Sequence, residues 1–399
     1  MDAQKKKAIL IFTAITALAG LGMGLSDSVF ANYFKDAYNI DAFQRGLIEL
    51  PRETPGFICV FVTSLLASFG DTRLAMISQV FCVTGLTALG FLTPSIGVML
   101  IFLFLFSMGQ HMFMLLSDSL GMSLAQKGSF GSFLGRFKGV NIAFTMVAGI
   151  VVFVGFKTGL FSFTSPIKVI FLIAAFIFAI VFVLLHYMRR LTGEKPVRQR
   201  FRLIVRKEYG IFYLLSILFG ARKQIMFVYG PWVLIDLLGF GADTMALLAI
   251  AGAGAGIFFM PAVGRWIDRY GTASIMIVEA AAFFLVYIAY GVLSAGLFWG
   301  WITAAGMAVF VAFAVNIADR MTIQFGMVRS VYMRSVAISP EEVTPTLSLG
   351  MSLDHVLSIL SAILCGWIWK SLGPQHVFIF AALLSVCNML VALSIRKKN

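Results

Sequence analysis

Long apolar runs recur along the whole chain and limit what it can fold into. Twelve segments of 17 to 30 residues consist mainly of Leu, Ile, Val, Phe, Ala and Gly and hold few charges. A bilayer core about 30 Å thick needs about 20 such residues in a helix, and helices satisfy their own backbone groups in lipid. The sequence therefore predicts an all-α polytopic membrane protein with spans at 8–29, 46–69, 74–93, 95–117, 140–156, 169–187, 209–238, 244–263, 273–293, 298–318, 347–369 and 377–395.

Composition and charge placement support the same class. Of the 399 residues, 60% are hydrophobic and 12% charged, whereas soluble domains are about 25% charged. The net charge of +13 does not indicate nucleic-acid binding. With the N-terminus inside, 23 of the 31 Lys and Arg residues, Arg320 and Arg329 among them, fall on the inner face and only 5 on the outer face. This bias predicts that both termini are cytoplasmic, and we expect a bacterial inner membrane.

A basic stretch divides the chain near its middle. Residues 189–208 are polar and rich in Arg and Lys, and we interpret them as a cytoplasmic linker; a patch for nucleic acid or anionic lipid is the alternative. The predicted domains are an N-terminal six-helix bundle at 1–188 and a C-terminal six-helix bundle at 209–399. All four cysteines lie within predicted spans without metal-type spacing, so we expect them to pack in the core and expect no metal site.

Two short loops suggest an internal repeat. The loop ASFGDTRLA occupies 67–75, and the loop VGRWIDRYGTA occupies 263–273. Each contains an aspartate after the second predicted span of its half, and Asp71 and Asp268 are 197 residues apart. A repeat of this kind predicts two parallel halves related by an axis along the membrane normal.

The second loop resembles the signature loop of the major facilitator superfamily. Gly264, Asp268, Arg269 and Gly271 match its Gly, Asp, basic and Gly positions, although Thr272 and the next residue replace expected cations. The resemblance implies two pseudo-symmetric six-helix bundles and transport by alternating access.

The first loop is a weaker match to the same family. It keeps Asp71 and Arg73 but lacks both glycines of the pattern, and Asp118 looks like the acidic partner that the family places near this loop. The resemblance implies that both loops form a cytoplasmic gate, made in one state and broken in another. A static contact between loop and helix is the alternative.

Two cations lie deep in the seventh predicted span. Arg222 and Lys223 are neighbours within the apolar stretch 214–235. Charges at this depth usually face a protein interior or a water-filled cavity and indicate a functional site. Neighbouring helical residues point about 100° apart, so we expect different roles for the two. The resemblance implies that the first and seventh helices line a central cavity. With the 197-residue offset, Asp27 of the first helix corresponds to Gln224 of the seventh. We therefore predict that Asp27 approaches Arg222 or Lys223.

Further charges lie in the second and eleventh predicted spans. Glu49, Arg52 and Glu53 share one helical face at i, i+3 and i+4. They could form an internal ion-pair cluster, or one Glu could titrate while Arg52 meets an anionic solute. Asp354 and His355 are neighbours near mid-depth, which suits a proton relay, although a hydrogen-bonded packing histidine fits equally well.

These residues and the resemblance together predict a secondary active transporter for a small organic solute. The paired cations favour a solute with a carboxylate or phosphate group, and protons or another ion are the expected coupling species. One alternative is an efflux antiporter for drugs or amphiphiles. The other, outside transport, is a receptor or lipid-handling protein on the same fold. We expect a monomer in the lipid bilayer, no enzyme activity, no cofactor and no nucleic-acid partner. The substrate candidates are Arg222, Lys223, Gln224, Arg52 and Asp27, and the proton-coupling candidates are Glu49, Glu53, Asp354 and His355.

Overall fold

The computed structural model describes residues 3–65, 69–92, 95–124, 130–192 and 204–396, and all regular elements within them are helical. Short 3₁₀ turns at Lys207–Tyr209 and Ile323–Gly326 and a π turn at Val233–Leu237 extend some helices. The α-helices of the described residues are α1 Ala3–Asp27, α2 Phe30–Tyr38, α3 Ala42–Leu65, α4 Asp71–Phe91, α5 Ile96–Leu124, α6 Phe130–Lys157, α7 Val169–Thr192, α8 Gly210–Trp232, α9 Ala242–Tyr270, α10 Thr272–Phe298, α11 Met307–Thr322, α12 Met327–Val336, α13 Pro340–Leu372 and α14 Pro374–Arg396.

Eleven helical segments of the described chain are long and apolar enough to cross a membrane. The predicted span at 46–69 corresponds to α3, which is not among the eleven. Its 24 residues would extend about 36 Å, but its first half carries the cluster around Glu49. The chain is therefore a multi-span integral membrane protein. The eleven segments are Gln4–Tyr38, Asp71–Phe91, Ile96–Gly121, Arg136–Lys157, Val169–Thr192, Lys207–Leu237, Ala242–Tyr270, Thr272–Phe298, Met307–Val336, Thr346–Leu372 and Pro374–Arg396.

The tenth predicted span is displaced along the chain. The prediction placed it at 298–318, whereas the structure places a candidate span at Met307–Val336. Gly300 and Gly306 lie between α10 and α11 and have φ angles of +76° and +60°. Such angles favour glycine and interrupt the regular helix between the two elements. Arg320 and Arg329, which the prediction placed outside the spans, lie within this candidate span, and their predicted place on the inner face stays a prediction.

The first of two compact units comprises Met1–Asn39, Thr54–Phe201 and Ala242–Ala249. Within it α1 packs on α6 and α7, and α4 packs on α5 and α7. The contact between α1 and α6 requires small residues, because a Cβ on Gly20 would lie 2.4 Å from the Asn141 carbonyl oxygen. Buried Phe, Met, Leu and Ile side chains fill the space between these helices.

The second unit comprises Ile40–Glu53, Arg202–Gly241 and Ile250–Asn399. Within it α8 packs on α13 and α14, and α10 packs on α14 and α11. Residues 193–203 of the predicted linker lie outside the described residues. The predicted domain boundaries at 188 and 209 stay a prediction.

Left-handed backbone positions mark a repeat in the order of elements. Gly70 immediately precedes α4 with φ +81°, and Gly271 immediately precedes α10 with φ +79°. Asn39 and Gly239, also at positive φ, each lie a few residues before a long helix. These pairs are 201 and 200 residues apart, so the offset of 197 inferred from Asp71 and Asp268 does not align the helices.

Arg206 and Tyr209 hold Glu342 in the first turn of α13. The Arg206 guanidinium donates to both carboxylate oxygens at 2.6 to 3.1 Å, and the Tyr209 hydroxyl donates to Oε2 at 2.5 Å. The same hydroxyl oxygen accepts a hydrogen bond from the Ile338 N–H at 3.0 Å. The hydrogen bonds from Arg206, followed by that from Tyr209, hold the pKa of Glu342 below its ordinary value. The chain before α8 is thereby connected to the start of α13.

The stabilisation contributed by Glu342 should disappear in acid. The pKa of Glu342 is lowered in the folded protein. Its contribution to stability is therefore complete above the pKa of an unfolded glutamate, about 4.3, and is lost as the pH falls through the pKa of the folded protein. We expect the melting temperature of Glu342→Gln to lie below that of the wild type by a constant amount from pH 7 to about 5, and the difference to shrink below about pH 4. Thermal unfolding of the purified protein over this range measures it, and a difference independent of pH would contradict the assignment.

Candidate functional site

Arg222 and Lys223, neighbours on α8, point to different helices of the second unit. Arg222 is fully buried, and its Nη2 lies 3.5 Å from Glu279 Oε1 on α10. Lys223 Nζ lies 2.8 Å from Asp354 Oδ1 on α13, and these two side chains are 24% and 16% exposed. The angular separation of neighbouring helical residues thus gives each cation its own carboxylate, and of these two pairs only Lys223–Asp354 is partly exposed.

The Lys223–Asp354 pair is held closely in place. Lys223 Nζ donates to both carboxylate oxygens, at 2.8 and 3.0 Å, and the Ser358 hydroxyl donates to Oδ1 at 3.1 Å. A Cβ on Gly220 would lie 2.5 Å from Asp354 Oδ1 and 2.6 Å from its carbonyl oxygen. Glycine at this position lets α8 and α13 approach closely enough for the ion pair to form.

Glu49 is the centre of a second buried cluster, at the start of α3. Arg45, one turn earlier, pairs with Oε1, and Arg52 donates to the same oxygen at 2.9 Å. Gln224 on α8 donates to Oε2 at 2.6 Å. Glu49 is fully buried, and Arg52 lies over the Phe227 ring at 4.7 Å from its centroid. The predicted i, i+3 contact between Glu49 and Arg52 is present, together with Arg45 one turn earlier and with Gln224 of another helix, neither of which the prediction included.

Glu53 and His355 form a separate pair. His355 Nδ1 lies 2.9 Å from Glu53 Oε2, and both side chains are about nine-tenths buried. His355 follows Asp354 in α13, so two adjacent residues of one helix contact Lys223 and Glu53 respectively. Two titratable pairs therefore lie on α13 within one turn.

Sequence reasoning missed the partners of Arg222. The sequence-based predictions assign no role to Glu279, and the charge bias predicts that Arg329 lies on the inner face. In the structure Arg329 Nη1 donates to Glu279 Oε1 at 2.8 Å, and its guanidinium lies 3.3 Å from the centroid of the Phe219 ring. Glu279 lies about two turns into the predicted span 273–293, and a carboxylate inside a span requires a partner. This position is the sequence signal that indicates an ion pair at Glu279.

Asp27 lies in the first unit, at the end of α1. Gln110 on α5 donates to both of its carboxylate oxygens, at 3.3 and 3.2 Å. Its predicted approach to Arg222 or Lys223 stays a prediction.

The predicted gate residues lie at helix ends. Asp71 is the first residue of α4 and accepts a hydrogen bond from the Ser119 hydroxyl on α5. Arg73 is exposed, and the side chain of Asp118 lies outside the described part of the chain. The predicted gate residues of the second loop lie in the last two turns of α9 and at its C-cap; they are Gly264, the exposed Asp268 and Arg269, and Gly271.

Charged residues buried between the helices of a polytopic membrane protein are typical of functional sites, including substrate and ion pathways. Residues 12–340 match the family model of the Major Facilitator Superfamily. The chain belongs to this superfamily and is a transporter on its fold.

Solved structures agree with this fold. The nucleoside transporter NupG has a TM-score of 0.76 at 14% identity, with 98% of this chain and 99% of that chain covered. A POT family transporter in complex with a thioalcohol-conjugated peptide has a TM-score of 0.76 at 11% identity, with 98% and 96% covered. The xylose transporter XylE from E. coli has a TM-score of 0.67 at 13% identity, with 99% and 98% covered. A search of curated protein sequences finds no match.

Proposed function

We propose that this chain is a proton-coupled secondary transporter of a small organic solute that carries a carboxylate or phosphate. The observation that carries the proposal is the partly exposed Lys223–Asp354 pair, with both carboxylate oxygens within 3.0 Å of Nζ. Arg222 is fully buried against Glu279, so Lys223 is the cation of α8 that a solute can contact. The neighbours named for a nucleoside, a peptide and xylose are consistent with a small organic solute and do not favour one charge class.

Protonation of Asp354 would link proton and solute binding. A carboxylate that takes up a proton loses its attraction for Lys223, and the freed ammonium then attracts an anionic group of the solute. One proton and one negative charge enter together, so the charge of the site is unchanged when both are bound. By linkage, each ligand increases the affinity for the other, which is the requirement for symport.

The remaining candidate residues divide between support and proton transfer. We propose that Glu49, Arg52 and Gln224 connect α3 to α8, because Glu49 is fully buried and accepts hydrogen bonds from both. The Glu53–His355 pair is the second proposed proton site, since His355 Nδ1 lies 2.9 Å from Glu53 Oε2 and a proton can be shared between these two groups.

We further propose that both termini face the cytoplasm of an inner membrane and that the two loops form the gate. The excess of Lys and Arg on the inner face supports this orientation. The hydrogen bond from Ser119 to Asp71 is the kind of contact that a gate would make in one state and break in another.

Uptake into proteoliposomes tests the function. Purified protein is reconstituted at internal pH 7.5 and diluted into buffer at about pH 6, with radiolabelled carboxylates, phosphate esters, nucleosides, sugars and cationic drugs as separate arms. We expect an anionic solute to accumulate only while the pH gradient exists and to stop accumulating when a protonophore is added. Exchange of a cationic drug against protons, with no uptake of anions, would overturn the proposal in favour of an efflux antiporter.

A further inference from the structure

Glu279 lies between two buried arginines of the second unit. Its Oε1 is 2.8 Å from Arg329 Nη1 and 3.5 Å from Arg222 Nη2. The three side chains are 1%, 8% and 0% exposed respectively. Two guanidinium groups thus share one carboxylate oxygen where very little side-chain surface is exposed.

This triad carries one uncompensated positive charge. Arginine stays protonated in proteins, so Arg222 and Arg329 contribute two positive charges against the one negative charge of Glu279. Other acids of this unit already have charged or titratable partners and do not supply the missing negative charge. Asp354 contacts Lys223, Glu49 contacts Arg45 and Arg52, and Glu53 contacts His355.

Two atoms of the triad also lack hydrogen-bond partners. Arg222 Nη1 and Glu279 Oε2 are both buried without a partner. The Arg222 Nε donates to the Leu218 carbonyl oxygen at 3.3 Å, so Nη1 is the free end of its guanidinium. A buried donor on a cation is costly to leave unsatisfied.

We propose that one small monovalent inorganic anion, of the size of chloride, binds at the triad against Arg222 Nη1. Such an ion satisfies the free donor and neutralises the excess charge at once, whereas a water molecule supplies a hydrogen bond without a charge. The Phe283 ring lies 4.6 Å from the Arg222 guanidinium and the Phe219 ring 3.3 Å from that of Arg329, so an aromatic ring lies against each guanidinium. The site is separate from Lys223–Asp354 and does not depend on the function proposed for that pair.

Thermal unfolding of the full-length purified protein tests this site. Sodium chloride, sodium bromide and sodium gluconate are compared at equal ionic strength across a titration of the halide. We expect chloride and bromide to raise the melting temperature by about 3 °C or more at saturation, with gluconate as the baseline. Equal melting temperatures in all three salts would overturn the proposal.

Charge variants separate a specific site from general salt effects. Arg222→Gln and Arg329→Gln should lose the halide-dependent shift, whereas Lys370→Gln, which removes a 61% exposed cation of the same unit, should keep it. Glu279→Gln removes the competing negative charge, so the half-saturating chloride concentration should fall about tenfold or more. An unchanged halide response in both arginine variants, or a weaker response in Glu279→Gln, would refute the site.

Because the arginine variants could unfold, a second measurement uses the unmodified protein. Crystals grown in bromide should show an anomalous scattering peak within about 3.5 Å of Arg222 Nη1. A peak at this position supports the proposal, and well-ordered side chains without one contradict it.

Discussion

Glu49→Gln is expected to lower the free energy of unfolding by about 3–5 kcal/mol, because it removes one partner of a buried ion pair and leaves the other charged. Glu49 is fully buried and is contacted by Arg45, Arg52 and Gln224. An amide oxygen can accept some of these hydrogen bonds but carries no charge to balance two guanidinium groups. Chemical or thermal unfolding of the purified protein in detergent measures the loss.

A matched control lies only a few residues away. Asp41 pairs with Lys370 at 2.7 Å, but the two side chains are 43% and 61% exposed. Exposed pairs of this kind contribute about 0–1 kcal/mol, so Asp41→Asn should have a small effect. If the two variants lost similar stability, burial would not be the cause and the role of Glu49 as the centre of the cluster would be wrong.

Local periodicity was enough to predict most of the spans and one ion pair. Helix-length apolar runs identify membrane helices directly, because the bilayer imposes both length and composition. The i, i+3 spacing of Glu49 and Arg52 likewise predicts their contact, since one turn of helix brings them together. The same geometry turns the neighbouring side chains of Arg222 and Lys223 in different directions, and in the structure they contact Glu279 and Asp354 respectively. The different roles expected of the two cations stay a prediction.

Contacts between distant helices could not be predicted in this way. The pairing of Glu279 with Arg222 depends on how α8 and α10 pack, and periodicity within one helix carries no information about that. Arg329 was placed outside the spans for a related reason. Its span begins at Met307, after two glycines at positive φ that end the regular helix, and hydropathy continues through that turn without a visible break.

The repeat predicted from Asp71 and Asp268 differs in register from the one that backbone conformation marks. Asp71 and Asp268 do lie near corresponding helix ends, but one begins α4 and the other lies in the last turn of α9. The two left-handed glycines, Gly70 and Gly271, mark the true correspondence because backbone conformation, unlike a charged side chain, is set by the turn itself. A difference of four residues is one helical turn, and it was enough to align Asp27 with Gln224.

Lys223→Gln and Asp354→Asn are each expected to reduce proton-driven uptake about 30-fold or more, as the loss of a charged hydrogen bond worth 2–3 kcal/mol implies. Each single variant also leaves one charge of a partly buried pair without its partner. We therefore expect a loss of stability of about 1–3 kcal/mol in either variant. Uptake and unfolding are measured on the same preparations.

The double variant Lys223→Gln, Asp354→Asn distinguishes a working pair from a structural one. With both charges removed, no unpaired group remains, so stability should return close to that of the wild type. Proton-driven uptake should stay lost, because neither the titratable carboxylate nor the cation that would meet the solute is present. If the double variant regained uptake together with stability, the pair would serve only to join α8 to α13, and the proposed coupling would have to be sought elsewhere, first at Glu53 and His355.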